Sequence, residues 1–329
     1  NAFYLRTRQR GMQNWDGKIH YITKTGQFKI GLLPKVYDMC IEMGIKPKVV
    51  DMRQPLPKVS KVVTKIGKYK LRPEQEKAVK AVINNTIGGK PFHIGVLDYT
   101  VNAGKTLIMS SLYLSYKKQL KTLLITNDSD WLNQAREEFK QYLPGEDITF
   151  VQGKVLNWSN FTIGMVQSIS RNMRFYQKEL SQIDMVLIDE ADQGGSRQYQ
   201  NVITRLFNTR IRIGLSGTIY MSKLAKDKVK NMNLECFFGK VLAEFKLRDS
   251  IKKGYSTKTV VKMVPGKPWY GNWESDCISY KEIYDDSITN SYTAWLMAYS
   301  RLRWNINQGR YPALVVCKHI AHCENLYKF

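Results

Sequence analysis

Two short segments carry residues whose types and spacing suit phosphate chemistry. The first is Leu97-Asp98-Tyr99-Thr100-Val101-Asn102-Ala103-Gly104-Lys105-Thr106, between the apolar run Ile94–Leu97 and an apolar helical pattern over Lys105–Tyr116. A loop in that context offers the backbone N–H groups of Asn102, Ala103 and Gly104, with a helix N-terminus behind them, to phosphate oxygens. Lys105 would reach the β- and γ-phosphates and the Thr106 hydroxyl would bind Mg²⁺. Tyr99 stands where the G-x-x-x-x-G-K-[ST] pattern has its first glycine. The second segment is Met185-Val186-Leu187-Ile188, running into Asp189-Glu190-Ala191-Asp192. Asp189 suits Mg²⁺ and Glu190 suits the orientation and deprotonation of an attacking water. Alone, the first could be a chance turn and the second a charged strand end. In this order and context they read as a site of ATP hydrolysis.

The charge balance points to the partner. The chain has 329 residues, with 51 Lys and Arg against 28 Asp and Glu, a net charge of +23. Such an excess suits a polyanion: nucleic acid, or an anionic membrane surface. It is concentrated, because residues 1–70 hold 15 Lys/Arg and 4 Asp/Glu. With 43% hydrophobic residues the composition excludes a largely disordered chain. No run reaches the ~18 apolar residues of a membrane span, so a soluble protein is expected. Cys40, Cys236, Cys277, Cys317 and Cys323 are odd in number and lack a C-x-x-C pair, which suggests free thiols in a reducing, cytoplasmic setting. The first residue is Asn1, not Met, so a longer natural chain is expected.

The elements that must position these residues follow from periodicity. Around Thr25-Gly26, Lys18–Thr23 and Gln27–Leu32 read as strands, Leu33–Met43 as a helix ending at Gly44, and Lys48–Met52 as a closing strand. The stretch Arg53–Lys58, with two prolines, reads as a linker. Pro73 opens a helix with Ala78, Val79, Val82 and Ile83 on its buried face. Strands are expected at Ile94–Leu97, Thr122–Thr126, Thr149–Gln152, Thr162–Met165, Met185–Ile188 and Ile211–Leu215. Helices are expected at Lys105–Tyr116, Trp131–Gln141 and Gln198–Phe207. Such alternation argues for a mostly parallel sheet covered on both faces. Glu244–Gly254 reads as a connector, Thr257–Val264 and Pro312–Cys317 as strands, and Gly266–Asp276 as a loop or insertion. Tyr292, Trp295, Leu296, Tyr299 and Leu302 read as a core-facing helical stripe.

With these motifs in order, the chain resembles superfamily 2 DNA helicases. Leu71-Arg72-Pro73-Glu74-Gln75 is similar to their Q-motif, which implies that Arg72 packs on adenine and Gln75 bonds its edge. Leu215-Ser216-Gly217-Thr218 resembles motif III, which implies that Ser216 and Thr218, with Asp192, couple the nucleotide to nucleic acid. Trp131–Gln134 and Gly164–Ser168 stand where strand-contacting motifs lie, implying contacts from Gln134, Gln167 and Ser168; Asn127 and Asp128 replace a typical Pro-Thr. The nearest likeness is to phage branch-migration helicases. It rests on Asn14-Trp15-Asp16-Gly17-Lys18-Ile19 and on Val316-Cys317-Lys318-His319-Ile320-Ala321-His322, similar to their motif IV strand.

The expected fold is therefore an α/β, RecA-like parallel sheet with flanking helices. A small basic α+β domain with linker would precede it (1–58), the RecA-like domain would fill 59–250, and an incomplete second RecA-like domain would occupy 251–329. ATP and Mg²⁺ would be the cofactors. DNA, branched or duplex or single-stranded, would be the partner, and a monomer is expected. Arg6, Arg8, Arg10 and Lys18 would contact DNA phosphates. Cys317, His319, His322 and Cys323 match no common zinc module, so packing is the reading there. Trp269, Tyr270 and Trp273 would anchor their own loop. Two alternatives stay open: a packaging-type, terminase-like ATPase motor, and a nucleotide-dependent DNA-binding protein without unwinding activity.

Overall fold

The computed structural model describes residues 18–116, 119–153, 155–219, 225–258, 279–309 and 314–329. The chain divides into two compact units, Asn1–Lys258 and Thr259–Phe329.

The first unit is built on eight strands. In chain order the described elements begin with helix α1 (Leu33–Glu42), the short hairpin β1 (Lys65–Ile66) and β2 (Tyr69–Lys70), helix α2 (Pro73–Ile83), and the hairpin β3 (Thr86–Ile87) and β4 (Lys90–Pro91). The sheet itself follows: β5 (His93–Tyr99), α3 (Lys105–Ser115), β6 (Thr122–Thr126), α4 (Ser129–Tyr142), β7 (Ile148–Gln152), β8 (Val155–Leu156) and β9 (Phe161–Met165). Then come α5 (Val166–Arg171), α6 (Gln177–Ser181), β10 (Met185–Asp189), α7 (Arg197–Ile203), β11 (Ile211–Ser216), α8 (Ala225–Phe238), β12 (Val241–Phe245) and α9 (Leu247–Lys252). The strand order is β12-β5-β11-β10-β6-β9-β7-β8, and every pairing is parallel except the hairpin β7–β8.

Successive side chains on these strands enter opposite cores, which is why the central strands read as unbroken apolar runs. Met185 and Leu187 of β10 pack with Leu97, Tyr99 and Leu124 on the α2–α3–α4 side. Val186 and Ile188 pack with Val96, Leu123 and Ile125 on the other face, against Ile169, Tyr199 and Phe238. A rigid sheet buried on both faces leaves its carboxyl edge as the place where loops can carry function.

Several expectations are corrected. The strands over Lys18–Thr23 and Gln27–Leu32 reduce to one isolated bridge, Ile22–Phe28, and Ile30–Leu32 forms a 3-10 turn. The reason is tertiary. Gly31 lies against the end of α8, where a Cβ would run into the carbonyls of Glu235 and Cys236. Leu32 is buried in the core beside Cys236 and Phe237, and Lys35 pairs with Glu235 at 2.5 Å. Lys48–Met52 is not a strand, since no sheet edge reaches it for pairing. The connector over Glu244–Gly254 in fact holds the end of the edge strand β12 and helix α9; Ala243 and Phe245 are buried against β5. The helix over Gln198–Phe207 stops at Ile203.

In the second unit the described elements are α10 (Tyr280–Tyr284), a π-turn at Asp285–Thr289, α11 (Tyr292–Asn307) and α12 (Ile320–Lys328). The stripe on α11 is not core: Tyr292 is 63% exposed, and Tyr292, Trp295 and Tyr299 instead gather around the ring of Phe329. Leu314–Cys317 forms no strand and its apolar side chains are largely exposed, because no described strand of this unit offers it a partner. Most of the strand expected at Thr257–Val264, and all of Gly266–Asp276, lie outside the described residues, as do Arg6, Arg8 and Arg10. Among the described residues no helix is long and apolar enough to cross a membrane.

Candidate active site

The motif residues converge at the carboxyl edge of the sheet. β5 and β10 flank β11, so the loops after these three strands are neighbours. The loop after β5 is held in an unusual backbone shape: Asn102 has φ +61° and Gly104 φ +73°. Asn is among the residues that tolerate the left-handed region. Gly104 is required on a second count, since a Cβ there would strike Gln75 Nε2. Tyr99, the departure from the glycine pattern, is fully buried; its hydroxyl donates to the Glu74 carbonyl at 2.7 Å and its ring packs on Phe245. It fastens the start of α2 to the end of β5. Burial pushes its phenol well above the usual range, with Glu74 adding to the effect.

Arg72 and Gln75 grip this loop. Gln75 Oε1 accepts from the Arg72 N–H at 2.8 Å, and Gln75 Nε2 donates to the Ala103 carbonyl at 2.8 Å. An amide has two donors and two acceptor lone pairs, so one of each remains. Arg72 donates to the Asn102 carbonyl at 3.1 Å, and its guanidinium lies 4.3 Å from the centre of the Tyr255 ring. Glu74 holds both neighbours, with Arg72 at 3.4 Å and Lys253 at 2.7 Å. Tyr255 and Lys253 were not foreseen. They lie some 180 positions along the chain from Arg72, and no local pattern joins them.

Lys105 Nζ stands 3.4 Å from Asp189 Oδ1 and 3.3 Å from Glu190 Oε1. Asp189 is 2% exposed, whereas the Glu190 side chain is 43% exposed. The influences on Asp189 oppose one another. Burial raises its pKa, Lys105 lowers it, and Glu190 raises it; the net shift is upward, so desolvation outweighs the lysine. Glu190 itself has φ +50°, a strained conformation for a non-glycine residue at the turn out of β10. Below it lies Tyr199, a second residue the sequence did not reveal. Its buried hydroxyl has no hydrogen-bond partner among the described residues, and burial together with Asp189, Asp192 and Glu190 raises its pKa.

These groups fit ATP and a divalent cation. Asp189 Oδ1 makes no hydrogen bond among the described residues, and the Thr106 hydroxyl makes none either. Two hard oxygens at the mouth of a positively charged loop suit Mg²⁺. Lys105, shared between two carboxylates, is a cation that phosphates can claim.

Around this centre, Ser216 Oγ donates to Asp192 Oδ1 at 2.9 Å and accepts from the Thr218 N–H at 3.1 Å. These bonds join the loop after β10 to the loop after β11. Gly217 abuts the phosphate loop, because a Cβ would stand 3.0 Å from Thr100 Cα. Further along the same edge, Asp128 replaces the expected Thr for a local reason: its Oδ1 caps α4 by accepting from Asp130 N–H at 2.8 Å and Trp131 N–H at 3.2 Å. Gln167 donates to the Asn127 carbonyl at 3.2 Å, and Ser168 Oγ accepts from the Gly153 N–H. Gln134 is exposed and pairs with Glu138. Lys18 is exposed in the amino-terminal segment, away from these loops in sequence.

The fold is a RecA-like parallel sheet with flanking helices, its loops gathered at the carboxyl edge. Residues 68–221 match the family described as "Type III restriction enzyme, res subunit". The chain is similar to the UvsW helicase from bacteriophage T4, with 21% identity and TM-score 0.57 over 73% of this chain and 86% of that one. A second structure of T4 UvsW aligns with 98% of this chain at 20% identity and TM-score 0.55; the chain spans 64% of its length. No curated protein sequence matches the chain.

Proposed function

We propose that the chain belongs to an ATP-driven superfamily 2 DNA helicase or translocase. The observation that carries this reading is Lys105 held at 3.3–3.4 Å between Asp189 and Glu190, with Ser216 bonded to Asp192 one strand away. When bound, ATP with Mg²⁺ supplies a transferable γ-phosphoryl group and a cation that neutralises its charge. Asp189 and Thr106 would hold the cation, and Lys105 would exchange its carboxylates for phosphate oxygens. Glu190, the more exposed acid, takes the proton of the attacking water. Arg72 and Gln75 receive the adenine, with Tyr255 as the ring beneath. Asp192, Ser216 and Thr218 pass the state of the nucleotide to the loops of Gln134, Gln167 and Ser168 along a bound strand.

The domain reading is 1–58 as a basic DNA-binding element, 59–250 as the first RecA-like domain and 251–329 as the start of a second. The net charge of +23 supports DNA as partner, branched or duplex in this reading, and the likeness to a helicase of bacteriophage T4 supports a phage source. The test is DNA-stimulated ATP hydrolysis by the full-length protein. Glu190→Gln should keep ATP bound while cutting kcat by at least ~10², the low end of general-base effects. Undiminished turnover would remove Glu190 from its role. Nucleotide-dependent DNA binding with no turnover in the wild type would favour the non-unwinding alternative.

A further inference from the structure

At the edge of the sheet opposite the phosphate loop, a cavity of about 850 Å³ opens beside the first residues of β5 and β11. Its size falls within the ~300–1,000 Å³ of small-molecule sites. β5 runs from His93 at this cavity to Tyr99 at the phosphate loop, about 20 Å of strand. The two sites are therefore separate. The outer wall is the extended segment 48–59, and the floor is formed by the ends of α2 and α3 and the start of β11.

The lining is apolar with an unbalanced charge. Lys48, Arg53, Lys58, Lys90 and Arg210 face one carboxylate, Asp51. Arg53 already has partners: it binds both oxygens of Asp51 at 2.8 and 2.7 Å and donates to the Thr209 carbonyl. Arg210 has none. It is 7% exposed, and among the described residues its guanidinium makes no hydrogen bond and no ion pair. The nearby acid, Asp184, uses its carboxylate on the Lys121 N–H instead. Burial lowers the Arg210 pKa, with Asp184 opposing. Among the described residues the Tyr116 hydroxyl also makes no hydrogen bond, and burial lifts its pKa to about 12 although Arg210 pulls it down. A guanidinium carries five N–H donors and stays charged. The guanidinium borders the cavity, and the one carboxylate in the lining, Asp51, is already taken by Arg53, so an anion entering the cavity meets a cation without a partner.

We propose that this cavity binds a small phosphate-bearing ligand of about nucleotide size. Arg210 and the Tyr116 hydroxyl donate to its phosphate oxygens, and Lys58 and Lys90 add charge at the mouth. A dianion suits several cations against one carboxylate better than a monoanion does. The body of the ligand lies on Leu56, Pro57, Val59 and Ile83.

The test uses the full-length protein carrying Lys105→Ala, so that the phosphate loop does not compete. Thermal melts and calorimetric titrations are run with inorganic phosphate, AMP and uncharged adenosine. Phosphate and AMP should raise the melting temperature and adenosine should not. Arg210→Met should weaken AMP binding at least ~10-fold, the loss of one charge-assisted bond or more. The exposed Lys58→Gln should leave the unliganded melt unchanged and weaken AMP binding, so the proposal stays testable if Arg210→Met misfolds. A ligand effect that survives Arg210→Met and Lys58→Gln overturns the proposal, as does no effect from phosphate or AMP. A short single-stranded oligonucleotide acting through Arg210 where AMP does not would also overturn it, assigning the cavity to nucleic acid.

Discussion

Replacing Gly104 by alanine should test whether the phosphate loop is built as described. At φ +73° an L residue pays about 1–2 kcal/mol for the left-handed conformation. The added Cβ also drives Gln75 Nε2 off the Ala103 carbonyl, a bond of 2.8 Å worth ~0.5–1.5 kcal/mol. The sum is about 1.5–3.5 kcal/mol, or a fall in melting temperature of roughly 3–14 °C for a unit of this size. Thermal unfolding of the unliganded protein reads it, and titration with a fluorescent ATP analogue should show weakened binding. The two contributions separate in a double-mutant cycle. In a Gln75→Ala background the steric part has no target, so Gly104→Ala should cost only the strain, and the coupling should be ~1 kcal/mol. A cost under ~0.5 kcal/mol for Gly104→Ala, or zero coupling to Gln75, would refute this account of the loop.

Asp189→Asn should stabilise the unliganded protein while abolishing hydrolysis. The folded pKa of Asp189 is raised, so its ionised form costs stability above that pKa and the cost fades as pH falls through it; the variant's advantage in melting temperature should be largest at alkaline pH and shrink in acid. Gly31→Ala should destabilise by ~1–3 kcal/mol, because the atoms it meets are backbone carbonyls that cannot swing away; a neutral result in chemical denaturation would mean that this docking is looser than drawn. Neutralising Arg6, Arg8 and Arg10 together should flatten the salt dependence of log K for duplex DNA by up to about 0.9 per lost phosphate contact, equally for unrelated sequences. An unchanged slope in salt-series titrations would exclude them from the interface.

Much of the central sheet was legible because its strands are buried on both faces. Thr122–Thr126 was bounded correctly because an apolar run sits between Lys121 and Asn127. The edge strand β12 escaped notice for the opposite reason: Val241 and Leu242 are only half-buried, and Glu244 interrupts the run. At the site, Lys105, Asp189 and Glu190 announce themselves by type and order. Tyr255 and Tyr199 do not, since their relevance arises only when the chain folds back on itself. The amino-terminal strands failed because backbone here follows the surface it docks on. Nothing in Gln27–Leu32 records that Gly31 must meet the end of a helix two hundred residues later.

That docking has a mechanical consequence. The amino-terminal element is joined to the sheet by the proline-bearing segment 53–58, which alone would behave as a slack tether. Because Gly31, Leu32 and Lys35 are seated directly on α8, tension applied to a load held by residues 18–44 enters the sheet through that seat and bypasses the tether. Under the proposed function, a grip on DNA there would be stiff: force would pass between load and sheet directly rather than being absorbed in stretching a linker. Lengthening segment 53–58 with glycine and serine should accordingly leave the transmitted step unchanged, whereas loosening the seat at Gly31 should make the coupling compliant.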